Sequence, residues 1–204
     1  MLIVPKVTTF ITRHGASGRE ILVFRHPQAG VQLPAGTVED SETFEAAALR
    51  EAYEETGISG LRIVAFLGAL EKTFADAQER RVIAASALFD TPHGSATSVV
   101  LDRGIIVAVQ HIRDGYAFVT HRADLDPYFP FPGVSGWMPA ECVLPHRTLR
   151  HLYHLQSTSP LPDTWEHFAE GQYMFAFYWV GVTEHPGLVD GQQVWWDYVI
   201  DQLR

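Results

Sequence analysis

Residues 42–56 constrain this chain more than any other stretch. Phe44, Ala47 and Ala48 recur at helical spacing. Asp40 or Ser41 is placed to cap the start, Glu42 and Glu45 sit near the positive end, and Gly57 is placed to end the helix. Almost everything around it reads as strand. Residues 6–13 and 20–25 are β-branched or apolar runs joined by the turn residues His14-Gly15-Ala16-Ser17-Gly18, and so predict a hairpin. Residues 32–38 form a further extended piece. After Leu61 come predicted strands at 62–70, 82–89, 104–111 and 116–120, with an Asp114-Gly115 turn before the last. Residues 126–139 read as a proline- and aromatic-rich loop, 146–156 as helix or strand, 172–182 as a strong strand and 192–203 as a terminal helix. An early helix set among strands is an α/β (α+β) pattern. The expectation is one domain over 1–204, with about 91–147 as an insertion or irregular segment.

Composition supports a real core. Of 204 residues, 47% are apolar and 19% charged. The net charge of −9 argues against a nonspecific nucleic-acid binder, which needs a basic footprint. It leaves small anionic ligands open, because a bound metal reverses the local field. The single cysteine, Cys142, excludes an intrachain disulfide framework and a cysteine-rich zinc site. No apolar run approaches the ~20 residues of a membrane span. The start has Pro5 and Lys6 within its apolar stretch and reads as a strand, not a signal peptide. The expectation is a cytoplasmic protein.

The acids are concentrated. Residues 39–55 hold Glu39, Asp40, Glu42, Glu45, Glu51, Glu54 and Glu55 against one base, Arg50, which is −6 of the −9. At about 100° per residue from Phe44, Ala47, Ala48, Glu51 and Glu55 share one stripe, with Glu54 at its edge. The apolar face thus becomes a carboxylate face, whereas a solvated acidic run would lie opposite. Glu51–Glu54 and Glu51–Glu55 have the spacings that bring side chains together. Like charges held against protein need neutralising, and Arg50 cannot serve three carboxylates. All-oxygen ligands suit Mg²⁺ or Mn²⁺.

Gly36, five residues, Glu42, seven residues, Arg50-Glu51-Ala52, one residue, Glu54-Glu55, one residue, Gly57-Ile58 resembles the full signature of the Nudix hydrolases. Ala52 stands where a larger aliphatic is commoner. The resemblance implies a mixed sheet between helices. It implies that Glu51, Glu54 and Glu55 bind divalent cations, with the Gly36 carbonyl as a further ligand, and that Arg50 orients the carboxylates through Glu42 or Glu54. It implies hydrolysis of a nucleoside diphosphate linked to another moiety. In such a reaction metal ions neutralise the diphosphate and activate water.

The general base lies outside the motif in many relatives of this kind. Glu170 is the first candidate, followed by Glu166, Glu71 and Glu79. Arg25 and Arg13 end paired strands and are candidate phosphate contacts. Phe74 falls about sixteen residues beyond the motif, where related proteins carry marks of substrate type. No histidine pair has convincing metal spacing; His151 and His154 share a face only if that stretch is helical. Tyr128–Pro132 and Trp137 form a lid or a core plug, and Cys142 reads as inert. The tryptophan-rich tail suggests a homodimer. The alternatives are a ligand-binding or regulatory protein without turnover, and an isoprenoid-diphosphate isomerase, for which Cys142 lacks a supporting motif.

Overall fold

Ile21-Leu22-Val23-Phe24 is apolar at every position, the pattern of a strand covered on both faces. All four residues are at most 1% exposed. The computed structural model describes residues 2–16, 18–73, 78–121, 133–169, 171, 173–189 and 191–204, leaving aside the side chains of Thr73 and His146. Its elements are β1 (Leu2–Gly15), β2 (Gly18–His26), β3 (Gly30–Gln32), β4 (Ala35–Thr37), α1 (Phe44–Thr56), β5 (Leu61–Thr73), β6 (Glu79–Val82), β7 (Ser86–Phe89), β8 (Ala96–Leu101), β9 (Ile106–Arg113) and β10 (Tyr116–His121). After these come β11 (Ser135–Pro139), a 3₁₀ turn (Ala140–Cys142), β12 (Val143–Leu144), β13 (His146–Ser157), β14 (Thr164–Ala169), β15 (Tyr173–Gly181) and α2 (Gln192–Leu203). This is a mixed α and β architecture, mostly strands with two helices. The chain divides into two compact units, Pro5–Glu71 with Thr148–Arg204, and Met1–Val4 with Lys72–Arg147.

The first unit is built on a sheet ordered β14-β15-β2-β1-β13-β5, with β3 paired to β2 and β4 to β1. Strand alternation divides its side chains between two cores. Val7, Ile11, Leu22, Phe24, Tyr153, Phe175 and Phe177 pack with Ala47, Ala48 and Ala52 of α1. Phe10, Ile21, Val23 and Leu152 pack with Trp196, Val199, Ile200 and Leu203 of α2. Helices therefore cover both faces, as the resemblance implied. The three alanines bring the α1 backbone close to the sheet. Phe24 stacks on Phe175 at 4.4 Å between centroids, and each fully buried large side chain stabilises by about 1.5–3 kcal/mol.

The second unit has a sheet ordered β12-β6-β9-β10-β11-β7-β8. Val82, Leu88, Leu101, Val107, Val119 and Met138 form its core. Asp114 and Gly115 both have positive φ, 50° and 76°, and join β9 to β10 as the expected tight turn.

Residues 146–156, left open between helix and strand, lie in a strand, β13. The sequence reading needs correction in three places. The stretch 82–89 is not one strand: β6 ends at Val82, residues 83–85 are irregular, and β7 begins at Ser86. β8 and β14 were not foreseen; Pro160 and Pro162 mask the alternation of Thr164–Ala169. Ser135–Pro139, expected as loop, is β11, which pairs with β10 from Trp137↔Phe118 outward. Tyr128–Pro132 lies outside the described residues. Among the described residues, no helix is long and apolar enough to cross a membrane.

Candidate active site

The site forms where β4 meets α1. Ala35–Thr37 pairs antiparallel with β1 through Lys6↔Thr37, Val7↔Gly36 and Thr8↔Ala35. In a strand, the amides at positions 35 and 37 point to the same side. Here they point at the helix. The Ala35 amide donates to Glu55 Oε2 at 3.0 Å and the Thr37 amide to Glu51 Oε1 at 3.0 Å. Between them, Gly36 is held open for a carboxylate: a Cβ there would lie 1.8 Å from Glu51 Cδ. The glycine is required by side-chain space, since Gly36 is not among the residues with positive φ.

Arg50, expected to hold too little charge for three carboxylates, does bond three: Glu42, Glu51 and Glu54. Its fork offers Nε and Nη2 to one side and Nη1 to the other, and of the motif's trio Glu55 is left to the Ala35 amide. Its Nε and Nη2 donate to the two carboxylate oxygens of Glu42, each at 2.9 Å. Nη1 pairs with Glu51 Oε1 at 3.0 Å and Glu54 Oε2 at 2.9 Å, and Nη2 also donates to the Thr37 carbonyl at 2.9 Å. The fork suits a guanidinium and not an ammonium. Hydrogen bonds from Arg50 hold the Glu42 carboxyl below its ordinary pKa, and the Glu42 bond raises that of Arg50. Burial pushes Glu51 upward, against the pull of Arg50 and the Thr37 amide. Glu51 is thus a carboxylate whose charge is poorly tolerated where it sits, the condition a bound cation relieves.

The helix is fixed at both ends. Its N-cap is Thr43, not Asp40 or Ser41: Thr43 Oγ1 accepts from the Ala46 amide at 3.1 Å. Glu42 consequently lies outside the helix, where it accepts from the Glu39 amide and reaches Arg50. Gly57 ends the helix with φ 72°, and its N–H donates to the Tyr53 carbonyl at 2.8 Å. From β14, Trp165 Nε1 donates to the Thr56 carbonyl at 2.9 Å and His167 Nε2 bonds the Glu54 carbonyl at 3.2 Å. These contacts set the rotation of the carboxylate-bearing turn.

Glu51, Glu54, Glu55 and Gly36 therefore come together, around a cleft of about 510 Å³ that Lys6, Ala35 and Thr37 also line. The Glu51 side chain is 15% exposed and that of Glu54 54%, so the two differ as stripe and edge. The donors are all oxygen, the set that suits a hard divalent cation, and the Gly36 cradle is filled by the Glu51 carboxyl group. As they stand, no three acidic, imidazole or thiol groups among the described residues converge on one point. Arg50 holds Glu51 and Glu54, and the Ala35 amide holds Glu55.

Of the remaining candidates, Arg13, Arg25, Glu166 and Glu71 are not brought to this cleft. Arg13 stands seven residues along β1 from Lys6, roughly 23 Å at ~3.3 Å per residue. There it pairs with Glu20 and Asp163 and lies over the Trp179 ring. Arg25 is exposed and alternates with Phe24, so it faces away from α1. Glu166 lies between Trp165 and His167, which both reach α1, so it points to the opposite face. Glu71 is exposed on β5, and Glu79 is buried on β6 in the second unit. Phe74 and Glu170 lie outside the described residues. His151 stacks on Phe44 at 3.7 Å, whereas His154 is buried on the other face and bonds Thr12 Oγ1 at 2.7 Å. Because β13 is a strand, the two histidines do not form a pair. Burial and Glu141 raise the Cys142 thiol, in keeping with an inert role. Trp196 is buried in the core and Trp195 covers Arg150.

Sequence reasoning missed Lys6, Thr43, Trp165 and His167. Thr43 was open to discovery as a threonine before Phe44. Lys6 matters only through its pairing with Thr37, which no local pattern reveals.

Residues 4–110 match the NUDIX domain. A solved structure designated a NUDIX hydrolase, from Listeria monocytogenes str. 4b F2365, is similar at 15% identity, with 97% of this chain and 92% of that chain covered and a TM-score of 0.35.

Proposed function

The chain belongs to the NUDIX family, hydrolases that act on pyrophosphate bonds of nucleoside diphosphate derivatives, and we propose that this member cleaves a nucleoside diphosphate linked to a second moiety, using Mg²⁺ or Mn²⁺ held by Glu51, Glu54 and Glu55. One observation carries this reading. Two carboxylates of one helix are seated on alternate amides of a strand, with a glycine between them that leaves room only for the carboxyl group.

The bound cations would neutralise the diphosphate and lower the pKa of a water. The chain's own residues do the rest. The Ala35 and Thr37 amides aim Glu55 and Glu51 at the cleft. Arg50 Nη1 bridges Glu51 and Glu54 and offsets their mutual repulsion, while the rest of the fork is anchored on Glu42. The Gly36 carbonyl, expected as a further ligand, lies opposite Val7 in the ladder and faces β1, so Gly36 contributes the seat for the Glu51 carboxyl and not an oxygen. Lys6, bonded to Thr37 Oγ1, contributes positive charge at the cleft wall for the diphosphate oxygens. The general base we assign to Glu170 on sequence position, just before β15. Near-normal turnover by Glu170→Gln would remove that assignment.

The test is a panel of nucleotide sugars, ADP-ribose, dinucleoside polyphosphates, nucleoside triphosphates and coenzyme A, each with Mg²⁺ and with Mn²⁺. The expected result is metal-dependent release of a nucleoside monophosphate from at least one. Tight binding of a nucleotide without turnover would favour a regulatory protein instead.

A further inference from the structure

Arg150 lies on β13, directly beside β1 in the sheet. Its Nη1 donates to the Val7 carbonyl at 2.7 Å and to Thr8 Oγ1 at 2.8 Å. Val7 and Thr8 are the β1 residues opposite Gly36 and Ala35. Those β4 residues carry the cradle for Glu51 and the amide that holds Glu55. The guanidinium is covered by the Trp195 ring, 3.9 Å from Cζ to centroid. Burial lowers its pKa to about 10, with the charge of Glu55 pulling the other way. It is therefore still a cation at neutral pH, and its field acts on Glu55.

We infer that Arg150 is a positioning residue for the carboxylate site, a desolvated cation that fixes the β1 backbone opposite Gly36 and Ala35. The inference rests on the reading of Glu51, Glu54 and Glu55 as metal ligands. Two points favour it over a purely structural arginine. Its hydrogen bonds go to the two residues paired with the cradle. Second, a desolvated arginine is an expensive way to hold two strands together unless its charge is used. Groups that support metal ligands from behind commonly change affinity by about 10–100-fold when removed.

Mn²⁺ binding to the full chain, measured by calorimetry without substrate, tests this alongside urea unfolding of the same proteins. Arg150→Met is expected to weaken Mn²⁺ binding by about 10-fold or more. Arg150→Lys, which keeps the charge, is expected to recover most of that loss. Trp195→Leu removes the covering ring but not the hydrogen bonds; it should lower stability while leaving Mn²⁺ affinity within about two-fold, since it touches no part of the cradle. With a substrate found by the panel, Arg150→Met should lower kcat at saturating substrate more than it raises KM. Should Arg150→Met fail to fold, Arg150→Gln, which keeps a donor but not the charge, is read in the same way. Wild-type affinity in the folded Met or Gln protein would overturn the inference. If the wild type binds no Mn²⁺, or Glu51→Gln binds as well as wild type, it is the metal reading that fails.

Discussion

Replacing Gly36 by alanine probes the seat of Glu51 directly. A Cβ at position 36 would stand 1.8 Å from Glu51 Cδ and 2.1 Å from both oxygens, well inside any tolerable contact. The backbone there needs no glycine conformation, so the whole penalty falls on the carboxylate. Glu51 has to swing away, which breaks its bond from the Thr37 amide. A hydrogen bond to a charged group contributes about 1.5–3 kcal/mol, so Gly36→Ala should destabilise by about 2 kcal/mol. The same substitution in a Glu51→Ala protein meets no carboxylate. There it should be neutral, or stabilise by about 0.4–1 kcal/mol through the unfolded chain. Urea unfolding of the four proteins gives the coupling, expected at about 2–3 kcal/mol and with a change of sign between backgrounds. A Gly36→Ala cost that is the same in both backgrounds to within ~0.5 kcal/mol, the usual limit of additivity, would refute the cradle.

Other outcomes follow from named contacts. Arg50→Met should cost about 2 kcal/mol in thermal unfolding, less than the ~3–5 of a fully buried pair, because the side chain is 24% exposed. Thr43→Ala should cost about 1 kcal/mol while Ser41→Ala and Asp40→Ala stay within ~0.5, which reports the true N-cap. Burial, then the charges of Arg19 and Arg62, hold His154 below the ordinary histidine pKa of 6.5, so the fold favours its neutral form. That contribution is present above pH 6.5 and is lost as pH falls through the lowered pKa. Stability measured between pH 7.5 and 5 should therefore fall, and His154→Gln should flatten the drop.

Much of this molecule was legible in its sequence because local signals and tertiary structure agree. The hairpin from β1 to β2, the helix ending at Gly57 and the turn at Asp114-Gly115 each follow from residues that favour one conformation. The carboxylate face was visible because Glu51 and Glu55 continue the stripe of Phe44, Ala47 and Ala48, and that stripe does face the sheet. What could not be read was pairing. Arg13 and Arg25 look alike at the ends of partnered strands. Yet one is spent on Glu20 and Asp163 far along β1, and the other faces away from α1. Conversely, Lys6 and Arg150 look unremarkable in isolation and matter only through Thr37 and Val7. His151 and His154 turned on a single question, strand or helix, that their short apolar neighbourhood leaves undecided.

The central claim is that the face bearing Glu51, Glu54 and Glu55 does the chemistry. Turnover of the best panel substrate by Glu54→Gln, at saturating Mg²⁺ and with unfolding checked in parallel, tests it most directly. Glu54 is half exposed, so its loss should barely move stability. The account predicts a fall in kcat of about 100-fold or more, equivalent to about 2.7 kcal/mol of transition-state stabilisation. A folded Glu54→Gln protein with wild-type turnover would contradict it.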